Sequence, residues 1–254
     1  MDISFEMLSL FFVIAMLYGS VGFGGGSSYL AILSLLGIDY LLLRSTALLC
    51  NITVVSGSSL LFWQKGFFKW KKIMTTVLLS IPMAYVGGRI QIEEKPFFIV
   101  LGFALIIAAI LMLLQKKITQ TKATFNFLKN NYVFNIFIGG VIGFLSGLIG
   151  IGGGIFLAPV LYLLKWDSPK VIAATAAFFI LVNSIAGLIG QLSNPNFYLD
   201  YIFVVPLVLT VLVGGQIGVR LGAGPFKPQL VKTLTAILIS FVGLRILIKY
   251  SFLS

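Results

Sequence analysis

The sequence predicts an all-α polytopic membrane protein made of two homologous repeats, each a glycine-broken re-entrant hairpin plus three transmembrane helices. Three observations carry this expectation. Hydrophobic residues make up 59% of the 254 residues and charged ones only 10%, with a mean hydropathy of +1.09, which no soluble domain of this length matches. Apolar runs long enough to cross a bilayer recur along the whole chain, joined by short polar stretches. Finally, Gly22-Phe23-Gly24-Gly25-Gly26-Ser27-Ser28 returns as Gly150-Ile151-Gly152-Gly153-Gly154-Ile155-Phe156 in matching surroundings. Both glycine runs are followed by about ten apolar residues and an aspartate, Asp39 or Asp167, and then by the related segments Ser45-Thr46-Ala47 and Ala174-Thr175-Ala176.

Taken in order, Leu8 to Gly22 covers about 22 Å as a helix, but Ser27 to Leu36 covers only about 15 Å, half of a hydrocarbon core of about 30 Å. That second arm cannot span alone. Adjacent glycines cost roughly 1 kcal/mol each in a helix, so the backbone breaks between the two arms. Full spans follow at Leu41 to Trp63, Ile73 to Gly88 and Phe97 to Leu114, completing a first membrane repeat over 1–114. Residues 115–132 carry Lys116, Lys117, Lys122 and Lys129 without apolar periodicity and read as a cytoplasmic basic linker. The second repeat, 133–254, copies the plan: Val133 to Gly150, a short arm Ile155 to Leu164, then Val171 to Leu192, Tyr201 to Val219 and Leu230 to Ile248. No segment is left for a soluble domain, and no cleaved signal peptide is expected.

The orientation of the repeats follows from the basic residues. If each broken segment re-enters and leaves on its own side, 13 Lys and Arg lie inside against 5 outside; if each crosses once, the division is 10 against 8. Re-entry is favoured, and it leaves each repeat with an odd number of full spans. The second repeat is then upside down, the inverted plan of many secondary transporters. Trp63, Trp70 and Trp166 fall at the expected inner span ends, where indoles suit the headgroup region.

The same residues limit the chemistry. With no histidine and the single Cys50 in an apolar run, the chain lacks the usual ligands for zinc or haem and any His-based triad. No cofactor and no enzymatic activity are expected, because no nucleophile, base and metal set can be assembled. The net charge of +11 sits in short loops between spans, which explains it by membrane orientation and not by nucleic-acid binding. The expected partners are a small anionic substrate and membrane lipid.

Broken backbone at membrane depth must be buried in protein or line a watery cavity. One reading is close packing, since Gly139, Gly143 and Gly147 at four-residue spacing let helices approach. The other is an anion site. Helix arms beginning at the turns would aim free N–H groups and positive dipole ends at the midplane. The backbone of Gly24, Gly25, Gly26, Gly152, Gly153 and Gly154, with the Ser27 side chain, forms that candidate substrate site. From the spans that follow, Thr46, Asn51, Thr175, Asn183 and Ser184 complete it. The hydroxyls could equally back-bond to their own helices, and Asp39 and Asp167 read as N-caps. Arg89 and Arg220 read as snorkelling span-end cations. No carboxylate falls in mid-span, so no proton relay is visible.

This paired GxGGG pattern, each copy followed by a short apolar arm, an aspartate and an Ala-Thr- or Ser-Thr-rich span, resembles the sulfite exporter TauE/SafE family of bacterial membrane transporters. The resemblance covers nearly the whole chain and is tighter in the second half, from Gly143-Phe144-Leu145-Ser146-Gly147 through the glycines to Pro159 and Ala174-Thr175-Ala176. It implies movement of a small anion, sulfite or an organosulfonate, across the bacterial inner membrane, and with the repeat plan the expected mechanism is alternating access about a site between the two turns. The competing readings are an anion channel and a non-transporting membrane scaffold.

Overall fold

The computed structural model describes residues 4–118, 131–222 and 228–252, and they are helical throughout, with no strand among them. The first half comprises α1 (Phe5–Val21), α2 (Gly26–Leu35), α3 (Tyr40–Gln64), α4 (Trp70–Val77), α5 (Ser80–Arg89) and α6 (Glu94–Ile118). The second comprises α7 (Tyr132–Ile149), α8 (Gly154–Leu163), α9 (Pro169–Leu192), α10 (Tyr201–Leu221) and α11 (Pro228–Phe252). Six of these helices, α3, α6, α7, α9, α10 and α11, are long and apolar enough to cross a membrane. α1, α2 and α8 are shorter apolar helices. The chain is therefore a multi-pass membrane protein. α6 continues past the expected span end at Leu114 into the segment read as linker, of which residues 119–130 lie outside the described residues.

Local chemistry explains the boundaries. α1 ends at Gly22 with φ 83°, where the N–H groups of Gly22 and Phe23 donate to the Gly19 and Tyr18 carbonyls, a glycine stop of Schellman type. α2 and α8 close in the same way, through Gly37 and Lys165. Asp39 caps α3, accepting from the Leu41 and Leu42 N–H groups at 2.9 and 3.2 Å. The single span expected over Ile73 to Gly88 is instead two helices with a turn at Leu78-Leu79. Pro82, in the first turn of α5, has no N–H for the Leu78 carbonyl and crowds it, so the ladder breaks there.

Two further expectations are corrected. Ser168, not Asp167, occupies the N-cap of α9, with Pro169 at the first helical position. Asp167 instead pairs with Lys69 at 3.0 Å and Lys72 at 2.8 Å, tying the α8–α9 loop to the start of α4. Burial pulls its carboxyl upward, but the bonds from Lys72, the Ser168 N–H and Lys69 outweigh that and hold it at about 2. Trp166 is no headgroup anchor, being buried beneath the Lys72 ammonium, whereas Trp63 and Trp70 are exposed as a membrane-facing indole would be.

Packing exchanges elements between the halves. α1 lies along α10, while α7 lies along α4 and α5; α3 meets α9, and α6 meets α11. Glycines set the closest approaches. A Cβ on Gly139, Gly143 or Gly147 of α7 would collide with the carbonyls of Thr76, Ser80 and Ala84 in turn. Gly102 of α6 faces Gly243 of α11, and the Tyr250 hydroxyl donates to Glu94 Oε1 at 3.2 Å. α6 and α11 thus run antiparallel. So do α3 and α9: Lys170, at the start of α9, lies over the Phe67 ring just beyond α3, while Arg44 and Gln191 share a pocket at the opposite end.

Candidate functional site

Both glycine turns reach the middle of the bundle and meet at Asn51, midway along the buried helix α3. α2 starts after Gly25 (φ 85°) and α8 after Gly153 (φ 80°), in a left-handed conformation that residues with a side chain resist. Neither N-cap has a side-chain hydrogen bond, so the first N–H groups of both arms have no capping side chain. Asn51 Nδ2 donates to the Ile151 carbonyl at 2.9 Å and so fastens the second turn to the first repeat's helix. Gly24 and Gly26 lie against the same amide. A Cβ on Gly26 would lie 2.7 Å from the Ile151 oxygen, and one on Gly152 would lie 2.7 Å from Asn51 Nδ2 and 2.9 Å from Ser184 Oγ. Only bare backbone permits this approach.

Polar atoms without partners gather here. Asn51 Oδ1 and Ser184 Oγ are buried with no hydrogen-bond partner. Leaving such a group unmatched costs about 1–3 kcal/mol, so a polar guest at this point would recover free energy. A cavity of about 30 Å³ touches Phe23, Gly24, Gly26, Ser27, Asn51 and Gly154, room for about one water.

Above it lies a larger cavity of about 390 Å³, sharing Phe23 and Lys232 with the small one. It opens where α3 ends and α9 begins, at exposed Lys65 and Lys170, and among the described residues no carboxylate lines it. The opposite end is shut. Arg44, 1% exposed, donates from Nη2 to the Gly147 carbonyl at 3.2 Å and lies 3.5 Å from that of Gly88, across the ends of α7 and α5. Around it, Asn194 Nδ2 donates to the Arg89 carbonyl at 3.3 Å and Asn196 Nδ2 to Gln91 Oε1 at 3.0 Å.

The residues expected from the sequence divide accordingly. Gly24, Gly25, Gly26, Ser27, Asn51 and Gly154 line the small cavity, and Gly152 and Ser184 adjoin Asn51. Gly153 faces Phe179, Ile142 and Ser146. Thr46 and Thr175 are not brought to the cavity: their hydroxyls bond back to the Leu42 and Val171 carbonyls at 2.7 and 2.8 Å, the ordinary use of a hydroxyl inside a helix. Asn183 likewise donates to the Phe179 carbonyl at 2.8 Å, away from both cavity walls. Arg89 and Arg220 are exposed at helix ends.

Sequence reading missed Lys232, counted there only as a loop charge. Its available signal was a cation in the opening turns of an apolar helix, where it opposes the helix dipole. Arg44 and the Ile151 carbonyl were missed too, the latter because a backbone atom leaves no residue-type signature.

The family model described as "Sulfite exporter TauE/SafE" matches residues 7–246. A probable membrane transporter protein of Sinorhizobium fredii is 32% identical, with 93% of this chain and 95% of that one covered. A second, from Bacillus subtilis, is 27% identical over 97% of this chain and all of its own length. No solved structure matches. A helical bundle of this apolarity, matched nearly from end to end by the family model and by proteins named as probable membrane transporters, is a membrane transporter, and the chain belongs to the sulfite exporter TauE/SafE family.

Proposed function

We propose that the protein is a secondary transporter that moves a small anion, sulfite or an organosulfonate, across the bacterial inner membrane by alternating access about the two glycine turns. The observation that carries this reading is the meeting of both turns at Asn51, beneath a lysine-lined cavity that opens where α3 ends and α9 begins. Uncapped helix starts and the positive vestibule favour an anion. The open vestibule, the nearly filled turn site and the closure around Arg44 suit one end state of a cycle better than a continuous pore. Antiparallel pairing of α3 with α9 and of α6 with α11 supports inverted repeats, because a two-fold axis in the membrane plane reverses each equivalent helix. The basic face is then cytoplasmic. Sulfur oxyanions are the choice suggested by the family's description.

No carboxylate among the described residues sits in the middle of a span, so the driving force is assigned to the substrate gradient and the membrane potential. The potential contributes about 2.3 kcal/mol per charge per 100 mV to anion exit from a cell negative inside. Proteoliposomes loaded with sulfite or sulfoacetate test the reading. Saturable efflux accelerated by an outside-positive potential and by counter-substrate is expected; ohmic current would make the protein a channel, and no flux a scaffold.

A further inference from the structure

We propose that Lys232 is a direct ligand of the transported anion, forming a loading site between the vestibule and the glycine turns. This rests on the transport reading and adds a residue that neither glycine motif contains. Lys232 is 8% exposed and stands in the wall of both cavities. Among the described residues no carboxylate pairs with it, and both ion pairs there belong to Asp167. Its ammonium lies 4.0 Å from the centroid of the Tyr162 ring, a contact that orients the charge without neutralising it.

A buried, unpaired ammonium is costly in protein, and at membrane depth such a charge belongs to a water-filled path. Its neighbours do not relieve it. The Thr235 hydroxyl donates to the Val231 carbonyl at 2.8 Å and the Tyr18 hydroxyl pairs with Ser28 Oγ at 2.7 Å, and neither carries the negative charge that would neutralise an ammonium. The position near the start of α11 adds the positive end of that helix to the same field. Snorkelling to the headgroups does not account for it, since Lys65 and Lys170 are exposed at the mouth while Lys232 is buried behind them. The missing counter-ion is therefore supplied by solute: one or more anionic oxygens, reached through the vestibule before the turn site opens.

The test compares wild type, Lys232→Gln, Lys232→Arg and Lys71→Gln in proteoliposomes, using initial rates of sulfoacetate transport against concentration. Loss of a charge-assisted contact should raise KM about tenfold or more in Lys232→Gln, with Vmax within about twofold of wild type. Lys232→Arg should recover most of that change, and Lys71→Gln, an exposed α4 cation outside both cavities, should shift KM by less than about twofold at physiological salt. An unchanged KM in Lys232→Gln, beside a transporting wild type, overturns the Lys232 assignment and leaves the transport reading standing. A wild type without saturable flux defeats the transport reading itself. Folding of the variant is bypassed on wild-type protein: sulfoacetate should slow acylation of Lys232 by a small amine reagent, read by peptide mass spectrometry. Equal modification with and without sulfoacetate also overturns the assignment.

Discussion

Gly26→Ala is expected to abolish transport, by on the order of a hundredfold, in protein that inserts and purifies like wild type. Gly26 is the first residue of α2, and its φ is not among the positive values, so alanine costs nothing in local conformation and improves the helix. The damage is confined to the junction. The added methyl would overlap the Asn51 amide and lie 2.7 Å from the Ile151 oxygen, a backbone atom that cannot rotate away. The two turns must part by about a few tenths of an ångström to 1 Å, breaking the 2.9 Å bond by which Asn51 of α3 holds the Ile151 carbonyl of the second turn. Misplacement of about 1 Å at a preorganised centre costs on the order of a hundredfold in rate, hence the expected loss. Initial flux normalised to monodisperse protein is the readout. Normal flux in folded Gly26→Ala would remove the turn junction from the mechanism.

Gly147→Leu should fail differently, by losing assembly. Gly147 lies on the face of α7 that touches α5, where a Cβ would run into the Ala84 carbonyl and lie 2.8 Å from the Gly88 nitrogen. Overpacking costs about 1–3 kcal/mol in a core that can adjust, and two helix backbones in contact adjust less than side chains do. The same helix end carries the Gly147 carbonyl that Arg44 holds, so separation of α5 and α7 would also strip a buried guanidinium of a partner. A large fall in the yield of monodisperse protein and in melting temperature is expected. A Gly147→Leu protein with wild-type melting behaviour would show that the α5–α7 contact does not depend on bare backbone.

These two outcomes separate the two uses of glycine that the sequence left open. Four-residue spacing at Gly139, Gly143 and Gly147 advertised packing, and each one lies against a carbonyl of α4 or α5. The GxGGG runs advertised broken helices, and the sparse polar residues of the spans that follow them brought Asn51 and Ser184 into the candidate site. The class, the spans and the two short arms were legible because bilayer thickness and hydropathy act residue by residue. The break at Leu78-Leu79 was legible in Pro82 but hidden by the apolar run around it. Burial of Trp166, Arg44 and Lys232 depends on which helix faces which, and nothing local encodes that. Thr46 and Thr175 matched in register between the repeats, yet both hydroxyls are used within their own helices. Repetition marks an equivalent position; whether that position faces a cavity depends on tertiary contacts.

The central claim, one site built from both turns and reached from one face at a time, is tested most directly by cysteine accessibility at Ser27. The residue lines the small cavity, and the native thiol at Cys50 is fully buried and can be replaced by alanine. In a Cys50→Ala, Ser27→Cys protein, a membrane-impermeant thiol reagent should react from the face bearing Lys65 and Lys170. Sulfite or sulfoacetate should protect the thiol, and reaction from the opposite face should appear only when substrate is turning over. Reaction from both faces without substrate, or at a rate that substrate leaves unchanged, would contradict the account.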